Sequence, residues 1–146
     1  MAFEGFWPLV AGLATPAQAA RVIDENLLSE RRFLAAHPIT TVGREDPRFE
    51  ARMWRGPAWN SMTYWAARGC LEYGRRDAAR TLLERALDSS AKQFDSTGTI
   101  WEFYDPFGGD PRGLLRKRNS SQSIPCADYL GHNPLIAMAR MWESTK

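Results

Sequence analysis

A short turn between two apolar helical faces is the feature that most constrains the fold. Before the turn, apolar residues recur at helical spacing at Trp59, Met62, Ala66, Cys70 and Tyr73. After it, a second apolar stripe comprises Ala79, Leu82, Leu83, Ala86, Leu87 and Phe94. Gly74 lies between them and is typical of a helix end, because glycine adopts a left-handed backbone without steric cost. The spacing predicts an antiparallel helical hairpin whose second helix covers about residues 77–94.

Proline and capping residues predict further helices. Thr15-Pro16-Ala17-Gln18 combines a capping threonine, a proline at the first helical position and a glutamine at the third. A helix is therefore expected from Pro16 to about Ala36. Gly56-Pro57 and Asn133-Pro134 predict two more helix starts, whereas the β-prone stretch 99–104 predicts a short strand or extended segment. We expect one all-α domain over residues 1–146, made of stacked antiparallel hairpins.

Composition excludes several classes of protein. The chain has 146 residues, and its 44% hydrophobic and 25% charged residues are typical of a soluble globular domain. A net charge of +2 gives no reason to expect a nucleic-acid surface, and the densest basic run, 112–118, is interpreted as a solvated loop. No apolar run reaches the length of a membrane span. The apolar stretch 6–14 lacks the basic residues that precede it in a signal peptide.

The cysteines and histidines do not form a metal site in the sequence. Cys70 and Cys126 are isolated, which favours a reducing and hence cytoplasmic compartment, and Cys70 is expected to be a packed thiol. His132 precedes the last helix and can either reach a ligand or cap that helix. His37 is interpreted as a helix-end residue. Two histidines this far apart predict no metal, and no cofactor motif is present.

Two aromatic stretches are the candidate site. Residues 54–60 (WRGPAWN) place an arginine and two tryptophans at a helix start, and residues 100–106 (IWEFYDP) place a carboxylate between aromatic side chains. Aromatic faces, a guanidinium and an isolated carboxylate can hold a sugar ring and activate a water molecule beside it. The two stretches therefore predict one wall of a carbohydrate-hydrolysing site.

Glu102 is the candidate general base, since Trp101 and Tyr104 can supply the walls that fix a carboxylate near a water molecule. The alternative is a solvated loop glutamate. Asp105 is expected to form the following turn. A role as second carboxylate is the alternative, but three residues is a poor separation for opposite faces of a sugar. No Ser/His/Asp order is found, because the serines at 120, 121 and 123 lie in low-complexity sequence.

Arg55 is the candidate for gripping a sugar hydroxyl or a substrate carboxylate, because its planar fork allows two parallel hydrogen bonds. Trp54 and Trp59 flank it and offer aromatic faces. The alternative interpretation is a structural arginine that pairs with Asp46 or Glu50.

Five motifs resemble a known family. They are FWPLVAG (6–12), WRGPAW (54–59), LEYG (71–74), WEFYDP (101–106) and YLGHNPL (129–135). In this order they resemble the C-terminal part of inverting (α/α)6-barrel glycoside hydrolases. The nearest resemblance is to glycoside hydrolase family sixty-three and its mannosylglycerate and glucosylglycerate hydrolase-like members, with trehalases more distant. The resemblance implies a partial (α/α)6 toroid.

The resemblance also implies roles for individual residues. Glu102 matches the family's general base. The residues that match the pocket-lining motif are Trp54, Arg55, Gly56, Pro57 and Trp59. Trp101, Tyr104 and His132 complete the predicted substrate site. The general-acid aspartate of the family has no match, so we expect a small carbohydrate or glycoside substrate but an incomplete site.

Three hypotheses for function follow. The first is a glycoside hydrolase segment completed by an N-terminal barrel half, since a twelve-helix barrel needs on the order of 200 residues. The second is a non-catalytic helical module that binds sugar or protein and self-associates through exposed helix faces. The third is an epimerase or lyase on the same architecture. The order of the five motifs favours hydrolysis.

Overall fold

The computed structural model describes residues 1–117 and 123–146, whose regular elements are helical with no β-strand. The α-helices are α1 (Trp7–Val10), α2 (Pro16–Val22), α3 (Asn60–Glu72), α4 (Arg76–Thr97) and α5 (Leu135–Glu143). Short 3-10 turns lie at Phe3–Phe6, Met53–Arg55 and Pro111–Gly113. None of these helices combines the length and apolar character needed to cross a lipid bilayer. The prediction of an all-α fold is confirmed.

The predicted helical hairpin is formed by α3 and α4, which pack against each other. Gly74 ends α3 with a φ of 71°, and its N–H donates to the Leu71 carbonyl at 3.0 Å. The second helix, α4, is longer than expected and ends at Gly98, whose φ is 73° and whose N–H donates to the Phe94 carbonyl at 2.7 Å. Both glycines use the left-handed conformation that other residues adopt at a cost.

The main core lies between this hairpin, the N-terminal helices and α5. Packing of α1 on α3 is close, because a Cβ on Gly69 would lie 3.0 Å from the Leu9 side chain. Cys70 is fully buried here, as predicted for a packed thiol, and burial raises its pKa to about 12. The core side chains from the five helices are Leu9, Ala19, Ala66, Ala67, Cys70, Ala78, Ala79, Leu82, Leu83, Ala86 and Met138.

The expected helix from Pro16 to Ala36 is wrong beyond Leu27. Thr15 and Gln18 do form the predicted capping box. However, the helix widens to a π-helical turn at Ile23–Leu27, and the chain then reverses. The reversal lets Phe33 and Leu34 enter the core from a turn. For the same reason His37 is not a helix-end residue: it lies ten residues after the last helical turn, fully buried.

The first helix of the hairpin starts later than Pro57. Helix α3 begins at Asn60, and Trp59 before it is extended. The delay arises because the preceding residues hydrogen-bond to other segments: the Pro57 carbonyl accepts the Thr41 N–H at 3.3 Å. The last helix, α5, begins at Leu135, directly after the predicted Asn133-Pro134 start.

A reciprocal backbone pair joins the two aromatic stretches. The Ala58 N–H donates to the Tyr104 carbonyl and the Tyr104 N–H to the Ala58 carbonyl, both at 2.9 Å. The pair is an isolated antiparallel bridge, and residues 99–104 form no regular strand, because the chain bends at Thr99 and again at Glu102 and Phe103. It brings Trp59 beside Phe103, with ring centroids 5.2 Å apart.

Candidate active site

An open cavity of about 420 Å³ lies between the two aromatic stretches and the segment before α5. Its size suits a small-molecule ligand. The lining residues are Trp54, Trp59, Asn60, Ser61, Glu102, Tyr129, His132 and Asn133. The structure therefore brings together four of the predicted site residues, namely Trp54, Trp59, Glu102 and His132.

Stacked aromatic rings form one wall of the cavity. The Trp54 and Trp59 rings are nearly parallel, with centroids 3.9 Å apart and an interplanar angle of 8°. Trp59 is buried and stacks in turn on Phe103, whereas Trp54 is 43% exposed. The Trp59 Nε1–H donates to the Met53 carbonyl at 3.4 Å, which holds the ring in the stack. The wall is thus a fixed apolar surface with one edge open to a ligand.

Glu102 is buried at the cavity wall, with a side chain that is 3% exposed. Arg116 donates to both carboxylate oxygens, from Nε to Oε2 at 2.8 Å and from Nη2 to Oε1 at 2.7 Å. The Cys126 N–H donates to Oε2 at 3.1 Å, and the Glu102 N–H donates to the Cys126 carbonyl at 3.0 Å. These bonds fix the rotamer of the carboxylate, so the alternative of a solvated loop glutamate does not describe it.

The pKa of Glu102 is set by opposing causes. Burial is the largest, and it raises the pKa because a charged carboxylate loses hydration. Hydrogen bonds from Arg116 and Cys126, together with the charge of Arg116, lower the pKa and outweigh burial. The net pKa therefore lies below the usual value for glutamate. Glu102 is ionised at neutral pH.

Arg55 does not line this cavity. Its guanidinium is half exposed and pairs with Glu50, with Nη2 and Oε1 3.3 Å apart. This is the structural pairing that was the alternative interpretation. Arg55 instead lines a neighbouring cleft of about 640 Å³ together with Arg52, Trp54 and Lys117. Because Trp54 lines both spaces, the cleft adjoins the cavity.

Gly56 and Pro57 are buried and support the site from behind. A Cβ on Gly56 would lie 2.3 Å from the Glu50 carbonyl oxygen, closer than any side chain tolerates. The Gly56 N–H donates to the Thr41 hydroxyl at 2.9 Å. The structure thus places Gly56 in a close backbone contact with Glu50 that leaves no space for a side chain.

Trp101 and Tyr104 are also buried outside the cavity. The Trp101 Nε1–H donates to the Thr97 hydroxyl at 2.9 Å, at the end of α4. The Tyr104 hydroxyl accepts the Trp101 backbone N–H at 3.2 Å, and its ring stacks on His37 with centroids 4.3 Å apart. Burial raises the pKa of Tyr104. Both side chains anchor the residues on either side of Glu102 to the protein interior.

His132 and Asp105 have different surroundings. His132 is exposed at the cavity rim, 5.9 Å from the Tyr129 ring. Asp105 accepts the Phe107 N–H at 2.7 Å, which is the predicted turn role, and it does not line the cavity. Among the residues that the structure describes, Glu102 is the one acidic side chain that lines this cavity.

Sequence reasoning missed Asn60, Ser61, Tyr129, Asn133 and Arg116. Asn60 and Asn133 lie in the stretches WRGPAWN and YLGHNPL, but an amide side chain does not by itself indicate a particular chemistry. Arg116 was hidden because the run 112–118 was interpreted as a solvated loop. That interpretation fits Arg112, which pairs with Asp110 at the surface.

Some sequence features lie outside the described residues. Arg118, Ser120 and Ser121 fall in the range 118–122. Within residues 1–117 and 123–146, no group of three or more His, Cys, Asp or Glu side chains lies close enough together to hold a metal ion.

A buried, ionised glutamate and two stacked indoles beside a cavity of about 420 Å³ match the carbohydrate site that the sequence predicted. The model of the mannosylglycerate hydrolase MGH1-like glycoside hydrolase domain matches residues 2–123. The chain belongs to this glycoside hydrolase family, as the five motifs indicated.

Two relatives of known activity are similar to this chain. The mannosylglycerate hydrolase of Thermus thermophilus is 32% identical over 111 residues, which are 75% of this chain and 25% of that protein. The glucosylglycerate hydrolase of Mycolicibacterium hassiacum is 32% identical over 79 residues, or 53% of this chain and 16% of that protein. The chain therefore spans a quarter or less of the length of these relatives.

Solved structures show the same fold. The GH63 mannosylglycerate hydrolase from a second strain of Thermus thermophilus, in complex with glucose, aligns with a TM-score of 0.65 at 22% identity, over 98% of this chain and 29% of that one. Its complex with Tris and D-glycerate gives a TM-score of 0.66 at 23% identity, over 99% and 30%. The chain thus has the fold of part of an (α/α) barrel.

The contact of Gly56 predicts a sharp loss of stability on adding a methyl group. Gly56→Ala should lower the free energy of unfolding by roughly 1–3 kcal/mol or more, because the new Cβ meets a backbone carbonyl that cannot rotate away. Urea denaturation measures the change. Gly113→Ala is the control, since nothing lies within 4 Å of its Cβ position. Equal stability of the two variants would contradict the contact.

The lowered pKa of Glu102 predicts a specific pH dependence of stability. Its ionised form stabilises the fold above the unfolded pKa of about 4.3, and this contribution is lost as pH falls through the lower folded pKa. In Glu102→Gln the loss of unfolding free energy between pH 7 and pH 3 should therefore be smaller than in the unsubstituted chain. Arg116→Gln should reduce it too. Identical pH profiles for all three chains would show that the pair contributes nothing.

Proposed function

We propose that this chain supplies the base-bearing wall of an inverting glycoside hydrolase. The observation that carries the proposal is an ionised, buried Glu102 at the wall of a sugar-sized cavity beside two stacked indoles. In an inverting reaction a carboxylate takes a proton from the water that attacks the sugar. Trp54 and Trp59 would pack against the sugar ring, and His132 would contact it from the rim.

The proposed step needs two carboxyl groups. Glu102 takes the proton of the attacking water as the bond from water oxygen to the anomeric carbon forms. The glycosidic bond breaks, and its oxygen takes a proton from a general acid about 6.5–9.5 Å from the base. Glu102 is the one acidic side chain that lines the cavity among the described residues, so the proposal places the acid outside them. A further barrel segment, on the same polypeptide or on another, would supply it.

An apolar surface supports the need for further helices. A groove between α4 and α5 is lined by Leu87, Phe94, Ile100 and Ile136. Phe94 is 48% exposed and Ile136 is 75% exposed, which is costly for large apolar side chains in water. Helices of the further barrel segment, or a second copy of this chain, would cover this groove.

We propose a small glycoside of an acid as the substrate. The names of the relatives, mannosylglycerate and glucosylglycerate hydrolase, support this class. The cleft beside the cavity supports it as well, because Arg52, Arg55 and Lys117 line it against a single carboxylate, Glu50. A sugar in the cavity could then extend past Trp54, and its acid group would meet these cations.

Turnover should depend on Glu102 in the form of the protein that carries the completed barrel. Glu102→Gln should lower kcat by about 10²–10⁴-fold, because the amide cannot accept the proton of the attacking water. Hydrolysis of mannosylglycerate measures the effect. Asp105→Asn is the matched control, since its Oδ1 can still accept the Phe107 N–H and its turn lies outside the cavity. Near-normal turnover in Glu102→Gln would refute the base assignment.

A substitution at Arg55 tests whether the substrate is a glycoside of an acid. Arg55→Ala should raise KM for mannosylglycerate by about 5–30-fold, since it removes one charged hydrogen bond to the acid group. The KM for an uncharged methyl mannoside should stay close to that of the unsubstituted enzyme. A loss of the same size for both compounds would show that Arg55 acts through the stability of its loop.

A further inference from the structure

A chain of side-chain hydrogen bonds, buried at His37 and Asn60 and part-buried at Asn133, reaches the wall of the cavity. His37 Nε2 lies 2.8 Å from Asn60 Oδ1, and Asn60 Nδ2 lies 3.1 Å from Asn133 Oδ1. Asn133 Nδ2 lies 3.4 Å from the Trp101 carbonyl oxygen. Asn60 also contacts the Ser90 hydroxyl at 3.1 Å. Asn60 and Asn133 both line the cavity, whereas His37 does not.

The direction of every bond in this chain is fixed at one end. The Trp101 carbonyl can only accept, so the donor to it must be Asn133 Nδ2. Asn133 Oδ1 then faces Asn60 and must accept from Asn60 Nδ2. Asn60 Oδ1 therefore faces His37, and the His37 ring must donate. The structure thus requires a proton on Nε2 of His37.

The surroundings of His37 agree with this tautomer. The ring is fully buried and stacks on Tyr104 with an interplanar angle of 17°. Nδ1 has no hydrogen-bond partner among the residues that the structure describes. Burial lowers the pKa of His37 to about 4, although the bond to Asn60 acts in the opposite direction. The ring is neutral at pH 7 and carries its single proton on Nε2.

We propose that His37 is a positioning residue of the cavity. Its Nε2–H donates to Asn60 and stabilises the amide orientations of Asn60 and Asn133 that the Trp101 carbonyl sets. Asn133, which also contacts the Tyr104 side chain, then turns its amide nitrogen to the Trp101 carbonyl and its Oδ1 to Asn60, while the residue lines the cavity. That oxygen accepts a hydrogen bond from a sugar hydroxyl, a step that rests on the proposed function.

The side-chain amides of Asn60 and Asn133 need partners of fixed character at both ends to hold one orientation. An amide side chain that rotates by 180° exchanges its donor and acceptor with little change in shape, so Asn133 could offer the cavity either group. The Trp101 carbonyl holds one end through a long bond of 3.4 Å. The shorter bond of 2.8 Å from His37 holds the other end. The Trp101 carbonyl thus sets the direction of the bonds, and the His37 bond stabilises the orientation of the Asn133 amide from the other end.

The tautomer can be measured on the 146-residue chain itself. Nitrogen-15 NMR of the His37 ring should show a protonated Nε2 and a bare Nδ1 at pH 7. The side-chain NH₂ groups of Asn60 and Asn133 should exchange slowly with solvent, because their hydrogens face buried acceptors. A proton on Nδ1, or a charged ring, would overturn the proposal without any variant.

Two variants at position 37 separate positioning from packing. His37→Gln can place an N–H near the position of Nε2, so the NH₂ signals of Asn133 should remain close to those of the unsubstituted chain. His37→Leu fills the space without a donor, so the Asn133 NH₂ exchange should speed up. An Asn133 signal unchanged in His37→Leu would overturn the coupling between the two residues.

The sugar contact is tested with D-glucose as the probe. Glucose should shift the indole signals of Trp54 and Trp59 together with the Asn133 amide, and His37→Leu should weaken binding by about 5–30-fold. Rescue in His37→Gln is expected. Glucose that shifts the indoles but binds equally to His37→Leu would overturn the positioning role. Glucose that shifts no indole signal would count against the proposed function, and the tautomer measurement would still decide the assignment of His37.

Discussion

The reciprocal backbone pair between Ala58 and Tyr104 is the contact on which the candidate site depends. Residues 54–60 lead into α3 and residues 100–106 follow α4, so the antiparallel hairpin brings both stretches to the end opposite its turn. The pair sets their register, so that Trp59 stacks on Phe103 and Glu102 comes to the same cavity as the indoles. It also explains why α3 starts at Asn60, since the backbone of Ala58 is already hydrogen-bonded across the site.

The same arrangement explains why the helices could be predicted and parts of the site could not. Helical spacing and the glycines at 74 and 98 are local signals, and the hairpin followed from them. The chain reversal after Leu27 depends instead on burying Phe33 and Leu34 against distant helices, so a local pattern of apolar residues extended the helix too far. Only tertiary packing decides such a boundary.

The residues of the candidate site could likewise be predicted only in part from the sequence. Trp54, Trp59, Glu102 and His132 were predicted because their residue types signal sugar chemistry. Tyr104 and Trp101 carry the same signal, but their side chains face the interior and pack behind Glu102. Simple strand alternation would place Tyr104 on the same face as Glu102. The chain bends at residues 102 and 103, and contacts with Thr97 and His37 turn both aromatic side chains inward, which the sequence alone does not reveal.

The pKa of Glu102 is decided by two opposing effects, burial and the contact with Arg116. Burial by itself raises the carboxyl pKa and so favours the protonated form, as in glycosidases whose acidic residue lies in an apolar pocket. Arg116 reverses that outcome by donating two parallel hydrogen bonds, and the net pKa falls below the usual value. A glutamate that stays ionised can serve as base but not as acid. In the proposed function, Glu102 would therefore be the base of the inverting pair, and a separate carboxyl group with a raised pKa would be the acid.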